Sequence, residues 1–391
     1  MSAPGRLAHR PMGHLPALDG LRGIAIALVF MVHLYAPIFS GGSSGVDLFF
    51  VLSGFLITKL ALEEFDRSGT LSRRGFYSRR VYRILPALFV LLAVLSVASF
   101  TLLSDVGSAL RREILLSGIS MGNLWPLFYG YAPRTALGHT WSLGLEEQFY
   151  LVWPVVVAFV FARRIDPMRW FRTVAAVTLA SVVIGRVLVV GVLRYPHWEA
   201  IPLLNFDGIA LGCLVAILVH HDRAGVTRRL PQWPAVIGAA LVGADFFLAR
   251  FYLDHDTYGL RPLVLRVAFA YIVIIVVTRL SEAGARRLAH PVLTWAGRWS
   301  YSIYLWHVPV FYALSAERNP NVPRAALVLL RVVVAIGAAG LSYRFIEQPA
   351  LAWGRGRRDA TRASETNDPE RPSSERSASD SPPQEASWLR S

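Results

Sequence analysis

One histidine stands in a long apolar run near the start of the chain. His33 follows Arg22 by eleven residues in LDGLRGIAIALVFMVHLY, close to three helical turns, so both side chains share one helix face about 16 Å apart along the axis. Asp19, three residues before Arg22, is placed to pair with that arginine. A neutral imidazole ionises near physiological pH, which suits a general base. The spacing predicts Arg22 at the inner membrane surface and His33 as a base in mid-membrane, with interhelical hydrogen bonding by His33 as the structural alternative.

A basic run precedes an apolar stretch at residues 73–86, RRGFYSRRVYRILP. Arg80 and Arg83 are one helical turn apart and face together. Guanidinium groups bind phosphate in a bidentate manner, so this pair suits a phosphorylated ligand that arrives from the cytosol. Arginines that only anchor a cytoplasmic membrane surface would give the same run, and the residues alone leave both interpretations open.

Two adjacent carboxylates, Glu146 and Glu147, occur in HTWSLGLEEQFYLVWP at residues 139–154. Neighbouring residues of a helix point about 100° apart, so only one of the two can face a given cavity. Glu146 is the better candidate for orienting an imidazole or holding a sugar hydroxyl, and Glu147 for a surface charge at the headgroups. Trp141 and the aromatic residues after it are typical of an interfacial belt.

Two more motifs place polar groups in apolar runs. In GVDLFFVLSGFLIT, residues 45–58, Ser53 can offer a hydroxyl to a site, and Gly54 permits close approach of another helix. In WSYSIYLWHVP, His307 follows Arg298 by nine residues and so lies at nearly the depth of His33. The two histidines are either a base and its partner or groups that pack helices together.

The remaining residues of interest are predicted to have structural roles. In SYRFIEQP, Arg344 and Glu347 lie one turn apart and predict a helix-terminal ion pair. Cys213 is the single cysteine, so an internal disulfide and a Cys/His metal cluster are both excluded. The sequence therefore predicts no metal site.

The amino-acid composition indicates what kind of secondary structure carries these residues. The chain has 391 residues, of which 54% are hydrophobic and 17% charged, and its mean hydropathy is +0.43, too apolar for a water-soluble domain of this length. A membrane span needs about 20 mostly apolar residues. The sequence predicts an all-α polytopic membrane protein with about ten spans, and the segment 114–131 as a further re-entrant or interfacial helix. The ten windows are 20–40, 45–62, 84–104, 142–162, 173–193, 203–220, 234–250, 262–279, 299–315 and 325–346.

The basic residues predict the orientation of these spans. The net charge is +14, which in a soluble protein would suggest nucleic-acid binding. Here 29 of the 40 Lys and Arg residues fall in the segments that are cytoplasmic if both termini lie inside, as the positive-inside rule requires. We therefore expect a multi-pass protein of the plasma (inner) membrane, without a nucleic-acid partner. It divides into an N-terminal cytoplasmic segment 1–14, a membrane domain 15–350 and a disordered cytoplasmic tail 351–391, rich in Ser, Pro and charge.

Six motifs, taken in order, resemble the acyltransferase-3 family of membrane O-acyltransferases. They are LDGLRGIAIALVFMVHL, GVDLFFVLSGFLIT, RRVYRILP, WSLGLEEQFYL, YSIYLWHVP and YRFIEQP. The similarity extends over residues 15–350. It implies a ten-helix domain that moves an acyl group, acetyl or another short chain, from cytoplasmic acyl-CoA to a hydroxyl of a glycan, a lipid or a secreted metabolite.

The resemblance also implies roles for single residues. His33 matches the catalytic base and Arg22 the basic residue of the same motif, while Glu146 matches an acidic position counted with the catalytic residues. Arg80 and Arg83 match an arginine pair that, with Arg22, would bind acyl-CoA. Ser53 matches the serine motif of the second span. Together with three residues that the resemblance itself does not assign, Ser53 is predicted to bind substrate; the four are Asp19, Ser53, Trp141 and His307.

Two other classes of protein share part of this pattern. A multi-span transporter also carries histidines and arginines in its spans, although paired halves with broken helices would be expected and no internal repeat is evident. A catalytically inactive scaffold or sensor is the third possibility. Acylation that depends on His33 separates an enzyme from both.

Overall fold

The computed structural model describes residues 14–129, 135–163, 165–182, 184, 202–222, 224–251 and 257–366. Within these ranges the protein is built from helices joined by turns, which confirms the all-α prediction. The α-helices are α1 (Pro16–Leu34), α2 (Ser44–Ser68), α3 (Arg73–Ala98), α4 (Gly107–Gly118), α5 (Trp125–Tyr129), α6 (Thr140–Ala162), α7 (Pro167–Val182), α8 (Pro202–His221), α9 (Val226–Arg229), α10 (Trp233–Leu248), α11 (Thr257–Thr278), α12 (Glu282–Leu288), α13 (Pro291–Arg298), α14 (Ser300–Ala313), α15 (Arg324–Ser342) and α16 (Gln348–Thr366).

Seven helical segments in the described ranges are long and apolar enough to cross a membrane. They are Pro16–Leu34, Ser44–Ser68, Arg73–Ala98, Thr140–Ala162, Trp233–Phe251, Arg261–Thr278 and Arg324–Arg357. Three other predicted spans fall on α7, α8 and α14. Of these helices, α7 and α14 are shorter than the seven, with 16 and 14 residues. Residues 183 and 185–193 of the window on α7 lie outside the described residues. The chain is thus a multi-pass membrane protein, while the count of ten spans and the orientation of the termini stay predictions.

Several helix ends differ from the predicted windows for local reasons. α1 ends at Leu34, three residues before Pro37, which has no backbone N–H for a helical hydrogen bond. α2 ends at Ser68, because the next residue, Gly69, has a φ of 71° and adopts the left-handed conformation without strain. α3 begins at Arg73, where the Ser72 hydroxyl caps the helix by accepting from the Gly75 N–H at 3.1 Å.

α2 lies at the centre of the helix packing. It contacts α1, α6, α8 and α11, and its fully buried side chains include Phe50 and Phe55. A Cβ on Gly54 would collide with the backbone of Ile209, and one on Gly212 with the backbone of Val51. The prediction that Gly54 permits close helix approach is therefore confirmed, with α8 as the neighbour.

A buried arginine joins three helices at one end of this packing. Arg266 of α11 donates from Nε to Asp47 Oδ1 of α2 at 2.6 Å, and from Nη1 to Asp207 Oδ1 of α8. Its Nη2 reaches Asn205 Oδ1 at 3.3 Å. The residue lies inside α11 and is only 2% exposed.

The segment after the last span continues as a helix. α16 follows a π-helical turn, Tyr343–Glu347, and packs on α3, with the Trp353 ring 5.2 Å from the Tyr82 ring. It reaches Thr366, within the part predicted to be a tail. Residues 1–13 and 367–391 of the predicted terminal segments lie outside the described residues.

Candidate active site

A cavity opens between α1, α2, α3, α6 and α14. Its empty volume is about 790 Å³, part of which is open to the outside. Five residues predicted for the site line it, and the structure thus brings them together from four helices: Arg22, Ser53, Arg80, Arg83 and Glu146. Apolar side chains such as Phe49, Leu52 and Ile84 form the rest of its surface.

Three guanidinium groups converge on this cavity. Arg80 and Arg83 project into it from the first turns of α3, one helical turn apart, as the sequence predicts. The Arg80 guanidinium stacks over the Tyr150 ring, 4.8 Å from its centre, which holds its plane in place. Arg22 enters from α1 and donates to Ser300 Oγ at 3.1 Å.

Glu146 is the carboxylate that faces the arginines. The Tyr150 hydroxyl donates to Glu146 Oε2 at 2.9 Å and lies 3.0 Å from Ser53 Oγ. Glu147 points elsewhere, where Ser120 Oγ donates to its Oε2. The prediction that only Glu146 faces the cavity thus agrees with the geometry, whereas Glu147 is not the predicted surface charge because its Oε1 is buried. The Glu146–Tyr150–Ser53 cluster fixes one side of the cavity.

The charges on the lining residues favour an anionic ligand. Among the described residues that line the cavity, three are arginines and one is a carboxylate. Like charges held close together repel, and an anion relieves that repulsion while it accepts hydrogen bonds from the guanidinium groups. By contrast Arg79, on the same helix, already forms an ion pair with Glu64 at 3.0 Å.

His33 lies outside this cavity. It occupies the last turn of α1, which ends at the next residue, and its predicted position in mid-membrane stays a prediction. The His33 ring is exposed, and its Nδ1 lies 2.8 Å from the Val29 carbonyl oxygen. His307 is next to it, with the ring centres 4.9 Å apart, so the prediction that both histidines lie at similar depth agrees with the structure.

Tyr304 separates the cavity from the histidines. It lines the cavity, and its ring centre lies 5.5 Å from that of His307 and 5.2 Å from that of His139. Its hydroxyl donates to the His139 carbonyl oxygen at 2.7 Å and lies 2.5 Å from Ser142 Oγ. We refer to His33, His139 and His307 as the histidine cluster. The Tyr304 side chain therefore lies between the arginine-lined cavity and this cluster.

Two predictions about residues near the cavity differ from the structure. Asp19 hydrogen-bonds to His14 Nε2 at 2.8 Å, while Arg22 turns to Ser300, so the predicted Asp19–Arg22 pair is wrong. Trp141 packs on Phe50, with ring centres 6.0 Å apart, and does not line the cavity.

The predicted Arg344–Glu347 ion pair is also wrong. Arg344 reaches Gln348 instead, at 3.3 Å, and Glu347 accepts a hydrogen bond from Ser302. The π-helical turn carries Glu347 to the buried side, where it is 4% exposed.

Several lining residues escaped the sequence-based prediction although their spacing carried a signal. Ser142 and Tyr150 lie four residues before and after Glu146, on one face of α6. Ser300 and Tyr304 precede His307 by seven and three residues, again on one helix face. Helical periodicity counted from a known site residue would therefore have found them. His139 precedes α6 and has no such periodic relation to the other two histidines.

Within the described ranges, no three His, Cys, Asp or Glu side chains come together in a way that could hold a metal ion. The candidate site thus consists of arginines, a carboxylate, hydroxyl groups and histidines.

Comparison with known proteins assigns this arrangement to a family. Peptidoglycan O-acetyltransferase OatA of Listeria monocytogenes is 28% identical over 347 residues, which cover 86% of this chain and 56% of that protein. O-acetyltransferase OatA of Staphylococcus aureus is 29% identical over 350 residues, 86% of this chain and 57% of that protein. The chain therefore spans little more than half the length of these relatives, and no solved structure matches it.

The family match covers most of the chain. Residues 15–344 match the acyltransferase domain that defines the family, a range that contains the whole cavity and the histidine cluster. The chain therefore belongs to the acyltransferase-3 family.

Proposed function

We propose that the protein transfers an acetyl or other short acyl group from acyl-CoA to a hydroxyl of a cell-envelope glycan. The observation that carries the proposal is the convergence of Arg22, Arg80 and Arg83 on one cavity within the acyltransferase domain. Coenzyme A carries several phosphate oxygens, and guanidinium groups are the side chains best suited to hold them. The acceptor class follows from the relatives, which are named as O-acetyltransferases, one of them acting on peptidoglycan.

The donor would lie with its phosphates on the arginines of α3. Arg80 and Arg83 lie in the first three turns of that helix, on the side that the positive-inside rule places in the cytosol. The acyl end would then point along the cavity toward Tyr304 and pass this side chain to reach His33. Phe49, Leu52 and Leu56 supply apolar surface for the pantetheine arm and acyl chain.

His33 would act as the general base on the acceptor. Its Nδ1 lies against a carbonyl oxygen, which can only accept, so Nδ1 carries the hydrogen and Nε2 presents a lone pair. Nε2 takes the proton of the acceptor hydroxyl while the hydroxyl oxygen attacks the thioester carbonyl carbon. The C–S bond breaks, an ester forms and coenzyme A leaves as a thiolate, which takes a proton from water on the donor side.

The activity is tested in washed membranes of cells that express the chain, with acetyl-CoA labelled in the acetyl group and isolated peptidoglycan as the acceptor. We expect label in the glycan that mild alkali releases, because O-acetyl esters hydrolyse in base. Label must be lost when acetyl-CoA is replaced by free acetate. Membranes that bring labelled solute across without any ester formation would overturn the proposal in favour of transport.

The arginine pair gives a prediction about donor binding. Arg83→Ala is expected to raise the KM for acetyl-CoA about 10- to 100-fold, because a hydrogen bond between charged groups contributes roughly 1.5 to 3 kcal/mol. Arg83→Lys keeps the charge but not the bidentate geometry, and an intermediate KM is expected. The measurement is initial rate against acetyl-CoA concentration in detergent-solubilised protein, with thiol release as the signal.

Arg79→Ala is the matched control for Arg83. Arg79 belongs to the same helix, carries the same charge and is held by Glu64. Its removal is expected to leave the KM for acetyl-CoA within about twofold, an effect typical of surface ion pairs. Equal increases for Arg79→Ala and Arg83→Ala would mean that general charge attracts the donor and that the cavity does not bind its phosphates.

A further inference from the structure

His307 has a buried nitrogen that the proposed reaction does not yet use. The residue is 0% exposed, and its Nε2 has no hydrogen-bond partner among the described residues. Its Nδ1 lies 3.0 Å from the Ile303 carbonyl oxygen and 2.8 Å from that of Tyr304. Since both partners can only accept, Nδ1 carries the hydrogen and Nε2 presents a lone pair. A buried acceptor without a donor is unfavourable, and such a group in a folded protein calls for an explanation.

The ring beside His307 on α1 is that of the proposed base, His33. The His33 and His307 rings meet edge to face, with centres 4.9 Å apart and planes at 76°. His33 is locked in the same tautomer by the Val29 carbonyl. Two neutral imidazoles in this state both offer a lone pair and have no proton to share. A proton taken up by His33 at Nε2 would supply the missing donor.

We propose that His307 is a positioning residue that accepts a hydrogen bond from protonated His33 and so stabilises the imidazolium formed during acyl transfer. This inference rests on the proposed function, in which His33 removes the proton of the acceptor hydroxyl. As the hydroxyl proton passes to His33, the new Nε2–H is shared with His307 Nε2. His33 is exposed, so it returns the proton to water at that surface.

The surroundings of the pair keep His307 a neutral acceptor. The titratable groups that face it among the described residues are His33 from α1, His139 from the turn before α6 and Tyr304 on its own helix. Phe30 and Phe311 pack on its other sides, with ring centres 6.2 and 5.9 Å away. An apolar, aromatic environment disfavours a charge on His307 itself. The exposed His33 ring is therefore the one that carries the proton.

The test compares two replacements of His307. His307→Phe keeps a ring of similar volume without a lone pair, while His307→Gln supplies an amide oxygen that can accept. We expect His307→Phe to lower kcat about 10- to 100-fold, the range given by loss of a hydrogen bond to a charged group, with the KM for acetyl-CoA unchanged. His307→Gln is expected to recover part of kcat.

The pH dependence of kcat distinguishes this role from a merely structural one, because loss of a structural contact would not shift the pH profile. Without an acceptor for its N–H, the His33 imidazolium is less stable, so His33 becomes a weaker base and loses its proton at lower pH. The acidic limb of the profile of kcat, measured with acetyl-CoA and soluble peptidoglycan fragments, is therefore expected to move to lower pH in His307→Phe by about one unit for each tenfold change in proton affinity.

The matched control is His221→Phe. His221 also places Nδ1 against the carbonyl oxygen four residues earlier, Ile217, at 3.0 Å, but it belongs to α8. We expect kcat and the acidic limb to be unchanged in this variant.

Two outcomes separate this inference from the function on which it rests. If His33→Ala abolishes activity while His307→Phe leaves the acidic limb in place, the inference is wrong and the proposed function stands. If His33→Ala remains active, the base itself is wrong and the inference falls with it. Size-exclusion chromatography in detergent detects a loss of folded protein in His307→Phe. If that variant does not fold, the test is made with His307→Gln, and the inference requires the acidic limb of its kcat profile to lie at or near that of the unaltered protein.

Discussion

Replacement of His33 by alanine is expected to lower kcat for acyl transfer about 10²- to 10⁴-fold, the range typical of a lost general base. The cavity that we propose for the donor does not include His33, so the KM for acetyl-CoA should stay within about twofold of the original value. This separation of kcat from KM distinguishes a base from a residue that binds the donor. The measurement is acetyl ester formed on peptidoglycan fragments at saturating acetyl-CoA.

His33→Gln strengthens the same experiment. The glutamine side chain can replace the hydrogen bond to the Val29 carbonyl but cannot take up a proton at neutral pH. We expect its kcat to be as low as that of His33→Ala, with the amount of folded membrane protein unchanged. A glutamine variant that retains most of the activity would show that His33 has a packing role and that another group removes the proton.

Replacement of Arg266 by leucine is expected to cost about 3 to 5 kcal/mol of stability, the range measured when one partner of a buried ion pair is removed. Asp47 and Asp207 would both lose the guanidinium that they share, while each carboxylate remains buried. The measurement is thermal unfolding in a mild detergent, where the midpoint should fall markedly.

Two further variants provide the comparison for Arg266→Leu, one at its partner Asp47 and one at an exposed arginine. Asp47→Asn is expected to cost about 1 kcal/mol, because its amide oxygen can still accept from Arg266 and because Asp207 remains as the charged partner. Arg344→Leu removes an exposed arginine that reaches only Gln348, and its midpoint should be unchanged. Equal midpoints for Arg266→Leu and Arg344→Leu would contradict the view that Arg266 holds α2, α8 and α11 together.

Much of the fold follows from local rules that the sequence displays. Apolar runs of about 20 residues predict the spans, and seven of them appear as long apolar helices. The helix boundaries were harder, because caps and prolines act over one or two residues. The Ser72 cap extends α3 back to Arg73, and Pro37 ends α1 at Leu34, so that His33 lies at the end of its helix.

The candidate site was predictable where its residues share one helix and less so where helices meet. Arg80 and Arg83 follow from their spacing alone, and both line the cavity. The partner of Arg22 could not be predicted, because Ser300 is 278 residues away and only the packing of α1 on α14 brings it near. The partner of Glu347 could not be predicted either, because the direction of its side chain depends on a π-helical turn that shifts the helix face by one residue.

The single side chain of Tyr304 between the arginines and the histidines has a consequence for the cell's ion balance. A polytopic enzyme that binds one substrate from each face of a bilayer risks opening a leak through which protons or sodium ions could run down their gradients. Tyr304 is 9% exposed and is held by its bond to the His139 carbonyl oxygen. In the proposed reaction, a ring held in that position would keep the two aqueous compartments apart between turnovers, and the ion gradients across the membrane would be preserved.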